Sequence, residues 1–215
     1  MSSKQIPKYI VVEGPIGVGK TTLAKRLAES YDSELMLEEA EKNPFLENFY
    51  KDMQQSALPT QLFFLLQRAK QIQDIRQSDM FAPTRIADFL LEKDRLFASI
   101  TLDDDELRLY EQVYDTLTLD APLPDLVIYL QAPLEILLQR ISLRGRDMED
   151  HLQSDYMQQL IDAYTRFFYY YNATPLLIVN AEQIDLVNNE KDYQQLLHRV
   201  REMDSGRYYY NPIPF

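Results

Sequence analysis

The chain has 215 residues, 46% apolar and 26% charged, which suits one globular domain with a substantial core. Its 34 acidic and 22 basic side chains leave a net charge of −12, which speaks against nucleic acid polymers or anionic membranes as partners. The sequence has no cysteine, no apolar stretch long enough to span a bilayer and no signal-peptide apolar region in Met1-Ser2-Ser3-Lys4-Gln5-Ile6-Pro7, so disulfides and thiolate chemistry are excluded and a cytoplasmic protein is expected.

The first apolar run, Tyr9–Val12, reads as a strand. It leads into Gly14-Pro15-Ile16-Gly17-Val18-Gly19-Lys20-Thr21, which fits G-x-x-x-x-G-K-[ST] at every fixed position, and then into a helix-like stretch from Thr22 to Ala28. Strand, glycine loop and helix form a phosphate cradle: backbone N–H groups point at phosphate oxygens and the helix N-terminus adds positive potential. The expected ligand is ATP. Lys20 would reach the β- and γ-phosphates, and the Thr21 hydroxyl would hold Mg²⁺.

Further β-type runs lie at Leu35–Leu37, Thr84–Ala87, Leu126–Leu130 and Leu176–Val179, separated by segments of helical period such as Leu62-Leu65-Leu66-Ala69-Ile72 and Leu134-Leu137-Leu138-Ile141. This alternation predicts an α/β fold, a five-stranded parallel sheet with helices on both faces, in one domain spanning residues 1–215. Ligands in such folds sit beyond the carboxyl ends of the strands, so polar residues just after each run are site candidates. The second run ends in Glu38-Glu39, where either carboxylate could accept a proton from an attacking hydroxyl. The third ends at Asp88, a candidate for the Mg²⁺ shell. Leu102-Asp103-Asp104-Asp105-Glu106 reads as a helix start. Arg140 and Arg144, four apart, share a helix face; Gly145 marks the helix end and Arg146 follows. Three arginines in an acidic chain predict an anion-binding lid over about residues 140–152. The aromatic tail, about residues 205–215, is expected to dock on the body or on a partner subunit.

These motifs together resemble the deoxynucleoside kinase family of phosphate-loop kinases, over about Tyr9 to Tyr170. Leu37-Glu38-Glu39-Ala40 is similar to the family's Glu-Pro stretch, with Glu39 matching the catalytic base and Ala40 standing for proline. Asn43-Pro44-Phe45-Leu46-Glu47-Asn48-Phe49-Tyr50 resembles the segment carrying the sugar-binding tyrosine, here Tyr50. Gln61 matches the glutamine that pairs with the nucleobase, Arg68 a base-contacting arginine and Asp94 its acidic partner. Phe64, one turn after Gln61, would shape the base slot. Arg140, Arg144 and Arg146 match lid arginines, and Glu149 matches the lid glutamate that joins Tyr50 at the 3′-hydroxyl. The resemblance implies transfer of the ATP γ-phosphate to the 5′-hydroxyl of a deoxynucleoside, in nucleotide salvage, by a homodimer built on Leu58–Gln77 and Asp104–Leu117. The Arg68–Asp94 pair implies deoxyadenosine or deoxyguanosine, with deoxycytidine accepted as a further substrate.

One departure stands out. The family places arginine directly after the third-strand acid, whereas this chain reads Ala87-Asp88-Phe89-Leu90. The missing charge could come from Arg85, from a lid arginine or from nowhere. Two other readings share the phosphate loop. A nucleoside monophosphate kinase of thymidylate-kinase type would need a further acceptor-site arginine, and a nucleotide-binding regulator would show little catalysis.

Overall fold

A computed structural model describes residues 7–76, 84–149, 151–186 and 189–212. Gln77 of the expected dimer helix, Asp150 of the expected lid and residues 213–215 of the tail lie outside them. The strands are β1 (Tyr9–Glu13), β2 (Glu34–Met36), β3 (Arg85–Ala87), β4 (Leu126–Gln131), β5 (Leu176–Asn180) and β6 (Arg207–Tyr210). The helices are α1 (Lys20–Tyr31), α2 (Leu46–Lys51), α3 (Met53–Arg76), α4 (Lys93–Thr101), α5 (Asp104–Thr118), α6 (Leu134–Arg144), α7 (Ser154–Tyr170) and α8 (Glu190–Glu202). The strands form one parallel sheet in the order β2-β3-β1-β4-β5-β6. It has six strands, not the five expected. The added strand is Arg207–Tyr210, at the start of the aromatic tail. It escapes pattern reading because it is an edge strand whose side chains are mostly exposed, so no inside–outside alternation marks it. Backbone pairing to β5 sets its register, and Arg207 anchors it through Nη1 to Tyr169 O (3.0 Å) and Nη2 to Tyr171 O (2.6 Å).

β1, β4 and β5 are apolar runs up to their last residues, Glu13, Gln131 and Asn180, because helices cover both faces of the sheet, and every residue of β1 is buried. Much of the tyrosine and phenylalanine content lies in this core: Tyr129 stacks on Phe168 at 4.1 Å between ring centroids and is near-parallel to Tyr164 at 6.1 Å. The helix start expected near Asp103 is observed. The Asp103 carboxylate accepts from the Asp105 and Glu106 N–H groups (2.9 Å each), and Glu106 answers with its own side chain, a capping box.

The chain steps from β1 outward to β2, returns to β3, then crosses to β4 on the other side of β1. The carboxyl ends of β1 and β3 therefore face the reversal of strand order, where a crevice opens. The loop after β1, the segment after β2 and Asp88 after β3 converge there.

Candidate active site

Gly14–Gly19 curls between β1 and α1 as the motif predicts. Gly14 has φ +151°, and a Cβ there would lie 2.3 Å from Leu130 O. Gly17 has φ +83°, and a Cβ would meet Ile141 Cγ1 at 2.8 Å and Leu137 O at 3.0 Å, both on α6. Any side chain at Gly17 must strain the loop and push α6 outward. Gly17→Ala is expected to cost about 1–3 kcal/mol of backbone strain and to raise KM for ATP about tenfold or more; initial rates against ATP concentration, with a thermal melt, check this.

Behind the loop sits Glu13, fully buried. Its carboxylate accepts from Gly14 N (2.8 Å), Leu90 N (2.6 Å) and the Tyr164 hydroxyl (2.8 Å), so it braces the loop against the turn after β3. Lys20 Nζ donates to Gly14 O (2.7 Å) and Pro15 O (3.2 Å). Burial, helped by the nearby charge of Lys93, pushes the Lys20 ammonium down to about 8. The Thr21 hydroxyl donates to Asp88 Oδ2 at 2.5 Å, and Asp88 Oδ1 accepts from Glu38 N at 2.7 Å, which ties together the ends of the three strand–loop junctions. Burial pushes the Asp88 carboxyl up, against its hydrogen bonds from Thr21 and the Glu38 backbone.

A cavity of about 330 Å³ opens in front of these groups, within the usual size of a small-ligand site. Gly17, Lys20, Thr21, Glu38, Glu39, Tyr50, Gln61, Phe64, Arg68, Asp88, Arg144, Arg146 and Glu149 all line it. The two adjacent glutamates behave differently. Glu38 is largely buried: its Oε1 lies 3.0 Å from Arg68 Nη2 and its Oε2 lies 2.6 Å from Lys93 Nζ. Burial alone would raise its carboxyl, but the charges of Arg68, Lys93 and Lys20 outweigh that and hold it well below the usual carboxylate range. Glu39 precedes a 3-10 turn, Ala40–Lys42, with its side chain 45% exposed and 2.7 Å from Lys42 Nζ.

Tyr50 belongs to a small apolar cluster with Leu46, Phe49, Phe64 and Tyr156, and Asn43, just ahead of α2, ties the start of that helix to α3. Asn43 Nδ2 donates to Thr60 O (3.1 Å) and its Oδ1 accepts from Phe45 N (3.0 Å). Burial, then the charge of Glu149, raises the Tyr50 phenol above its ordinary value, and both residues line the cavity. Gln61 Nε2 donates to Thr101 Oγ1 at 3.3 Å, and that hydroxyl gives its own proton to Phe97 O at 2.8 Å. The amide is thereby oriented with Oε1 left for a ligand. Arg68, almost fully buried, forms a close ion pair with Asp94 behind the cavity wall.

The arginines after β4 have different partners. Arg144 Nη2 contacts both Glu149 oxygens (2.5 and 2.6 Å), and Arg146 Nη2 lies 2.5 Å from Glu41 Oε1, so both bridge to carboxylates at the cavity rim. Arg140 turns to the other side. It is outside the cavity lining and donates to Ala181 O (2.7 Å) and, more weakly, to Val18 O (3.4 Å). Pro15, Ile16, Val18 and Thr22 follow the loop and the first turn of α1. Arg85, a sequence candidate for the charge missing at Phe89, is at the start of β3 and binds Glu34 Oε2 (2.7 Å), remote from the cavity. Phe89 is fully buried in the core. The residue sequence reading passed over is Lys93; the available signal was a cation beside Asp94 in the first turn after the third-strand acid.

Comparison with known proteins gives the family of the chain. The family profile described as deoxynucleoside kinase matches residues 10–204. The chain is 36% identical over 202 residues to a deoxyguanosine kinase of Bacillus subtilis (strain 168), covering 91% of this chain and 97% of that one. It is 31% identical to a deoxyadenosine/deoxycytidine kinase of the same organism, covering 93% and 95%. A solved deoxyadenosine kinase of M. mycoides with bound dATP has the same fold, with a TM-score of 0.78 over 91% of this chain and all of that one, at 24% identity. A phosphate loop with a carboxylate-bearing cavity at its mouth, matched along nearly the whole chain, puts this protein in the deoxynucleoside kinase family of ATP-dependent phosphotransferases.

Proposed function

We propose that the chain phosphorylates the 5′-hydroxyl of a purine deoxynucleoside and that Glu38, rather than Glu39, is the general base. The observation that carries this is the Glu38 carboxylate, largely buried and lining one cavity together with Lys20 and Thr21 of the phosphate loop and with Tyr50, Gln61 and Arg68. Purines are favoured because Arg68, stiffened by Asp94, can donate to a purine N7 or O6 edge while Gln61 Oε1 accepts from the ring. The relatives' names, deoxyguanosine and deoxyadenosine kinase, agree with that chemistry.

In the transfer, the 5′-oxygen attacks the γ-phosphorus in line. Its O–H proton passes to Glu38, a new O–P bond forms, and the bond from the γ-phosphorus to the bridging oxygen breaks to release ADP. Lys20 leaves the loop carbonyls for the phosphates, whose negative charge restores its full protonation. Arg144 and Arg146 exchange their carboxylate partners for phosphate oxygens as the segment after α6 closes, and Tyr50 with Glu149 holds the 3′-hydroxyl. Arg140, held by carbonyls beside the loop, braces the ATP side instead of touching the γ-phosphate. Thr21 and Asp88 supply hard oxygen donors, and no group of three His, Cys, Asp or Glu side chains suited to a metal occurs among the described residues. That pair suits Mg²⁺, which keeps most of its waters and takes phosphate oxygens. Bound there, Mg²⁺ would neutralise charge on the β- and γ-phosphates.

The same reading takes residues 1–215 as one catalytic domain and as a cytoplasmic homodimer through α3 and α5, whose Leu66 and Leu109 are exposed. No helix among the described residues is long and apolar enough to cross a membrane. The test is a panel of the four deoxynucleosides with ATP and Mg²⁺, read as initial rates of ADP formation. Deoxyguanosine and deoxyadenosine are expected to be fastest. Turnover confined to thymidine, or to deoxynucleoside monophosphates, overturns the proposal.

A further inference from the structure

Lys93 opens α4 with its side chain 3% exposed, a burial that lysine rarely reaches. Its position is unfavourable in a second way: the first turn of a helix carries positive potential and disfavours a cation. Two carboxylates offset this. Glu38 Oε2 lies 2.6 Å from Nζ, and Glu13 Oε2 lies 3.7 Å behind it. Glu13 is immobilised by Gly14 N, Leu90 N and the Tyr164 hydroxyl, so it is a fixed backstop. The shorter contact points forward, into the cavity that Lys93 lines.

Glu38 is therefore held at two points, Oε1 by Arg68 and Oε2 by Lys93. Arg68 is shared with Asp94 and cannot by itself stop the carboxylate from pivoting. The other cations nearby are engaged elsewhere, Lys20 with loop carbonyls and Arg144 and Arg146 with Glu149 and Glu41. Phe89 places an apolar ring in the core at the position after Asp88.

We propose that Lys93 is a positioning residue for phosphoryl transfer: its ammonium fixes the Glu38 carboxylate in the orientation that receives the 5′-hydroxyl proton, supplying from α4 the charge that Phe89 does not supply after β3. A compact ammonium on Oε2 leaves that oxygen a second lone pair for the substrate hydroxyl. This rests on Glu38 being the base.

The test uses the absence of cysteine from the chain. Lys93→Met is expected to lower kcat about 10²-fold, the scale of a misplaced catalytic group, with KM for ATP and deoxynucleoside within about threefold. Lys93→Cys, alkylated with 2-bromoethylamine in urea and refolded beside a mock-treated sample, carries a primary ammonium at lysine's length on that residue alone. Alkylation is expected to restore kcat at least about tenfold over the mock sample, with intact mass confirming the adduct. Lys51→Met, on an exposed α2 pair, is the control for a lost lysine charge. Unchanged kcat in Lys93→Met, or no recovery of turnover in the refolded adduct, overturns the role of Lys93. Glu38→Gln assayed in parallel separates the two ideas. Full turnover there overturns the base assignment itself, whereas an inactive Glu38→Gln beside an active Lys93→Met overturns the positioning role alone.

Discussion

Glu38→Gln is expected to lower kcat by about 10²- to 10⁴-fold, the range for loss of a positioned general base. The carboxamide keeps the size of the side chain and its oxygen still accepts from one of the two cations, Arg68 or Lys93, while its NH2 group faces the other; it cannot take the 5′-hydroxyl proton. KM for the deoxynucleoside should stay within about threefold, because Tyr50, Gln61 and Arg68 remain to bind it. Glu39→Gln should leave kcat within about threefold as well, since its carboxylate is half exposed and spends its charge on Lys42. The measurement is steady-state ADP formation for both variants, with a thermal melt to show that each is folded. The reverse pattern, an active Glu38→Gln and an inactive Glu39→Gln, would return the base to Glu39.

The contrast between these neighbours shows what the sequence could reveal. The phosphate loop was legible because glycine is demanded by backbone geometry: at Gly14 and Gly17 a Cβ has no room, and sequence carries that requirement directly. The buried strands were legible because β1, β4 and β5 are apolar at every position but the last. Which of Glu38 and Glu39 turns inward depends instead on the backbone after β2, where Glu38 N is drawn to Asp88 Oδ1 across a neighbouring strand. That is a contact fifty residues away in the chain, and the local pattern does not encode it. Lys93 was hidden for a similar reason. Leu90-Leu91-Glu92-Lys93 reads as an ordinary charged helix start, and only the packing of α4 against α3 and α7 buries the lysine under the cavity. The separate partners of Arg140 and Arg144 were hidden for another reason. Spacing puts them on one face of α6, but their long side chains reach opposite ways, one to the carbonyls after β5 and the other to Glu149.

Asp94→Ala is expected to cost about 3–5 kcal/mol, because it leaves the Arg68 guanidinium buried with one of its two carboxylates gone. In a chain of this length each kcal/mol lowers the melting temperature by about 2–4 °C, so the loss is readable in a thermal melt. Its consequences would extend beyond stability. Arg68 would fall wholly onto Glu38, 3.0 Å away, tightening its hold on the base while releasing its aim at the nucleobase edge. Both kcat and purine selectivity should fall. The double variant Arg68→Met with Asp94→Ala separates the two effects: the guanidinium that had lost a carboxylate is gone and Glu38 keeps Lys93 as its partner, so part of the lost stability should return. Purine recognition should not return, since the donor is gone. A hydrogen bond from a charged donor is worth about 1.5–3 kcal/mol, so kcat/KM for deoxyguanosine and deoxyadenosine should fall by about 10- to 150-fold. Thermal melts of the three proteins with the deoxynucleoside panel make the comparison. Full purine rates in a stable double variant would mean that Arg68 and Asp94 only brace α3 against α4 and that Gln61 reads the base without them.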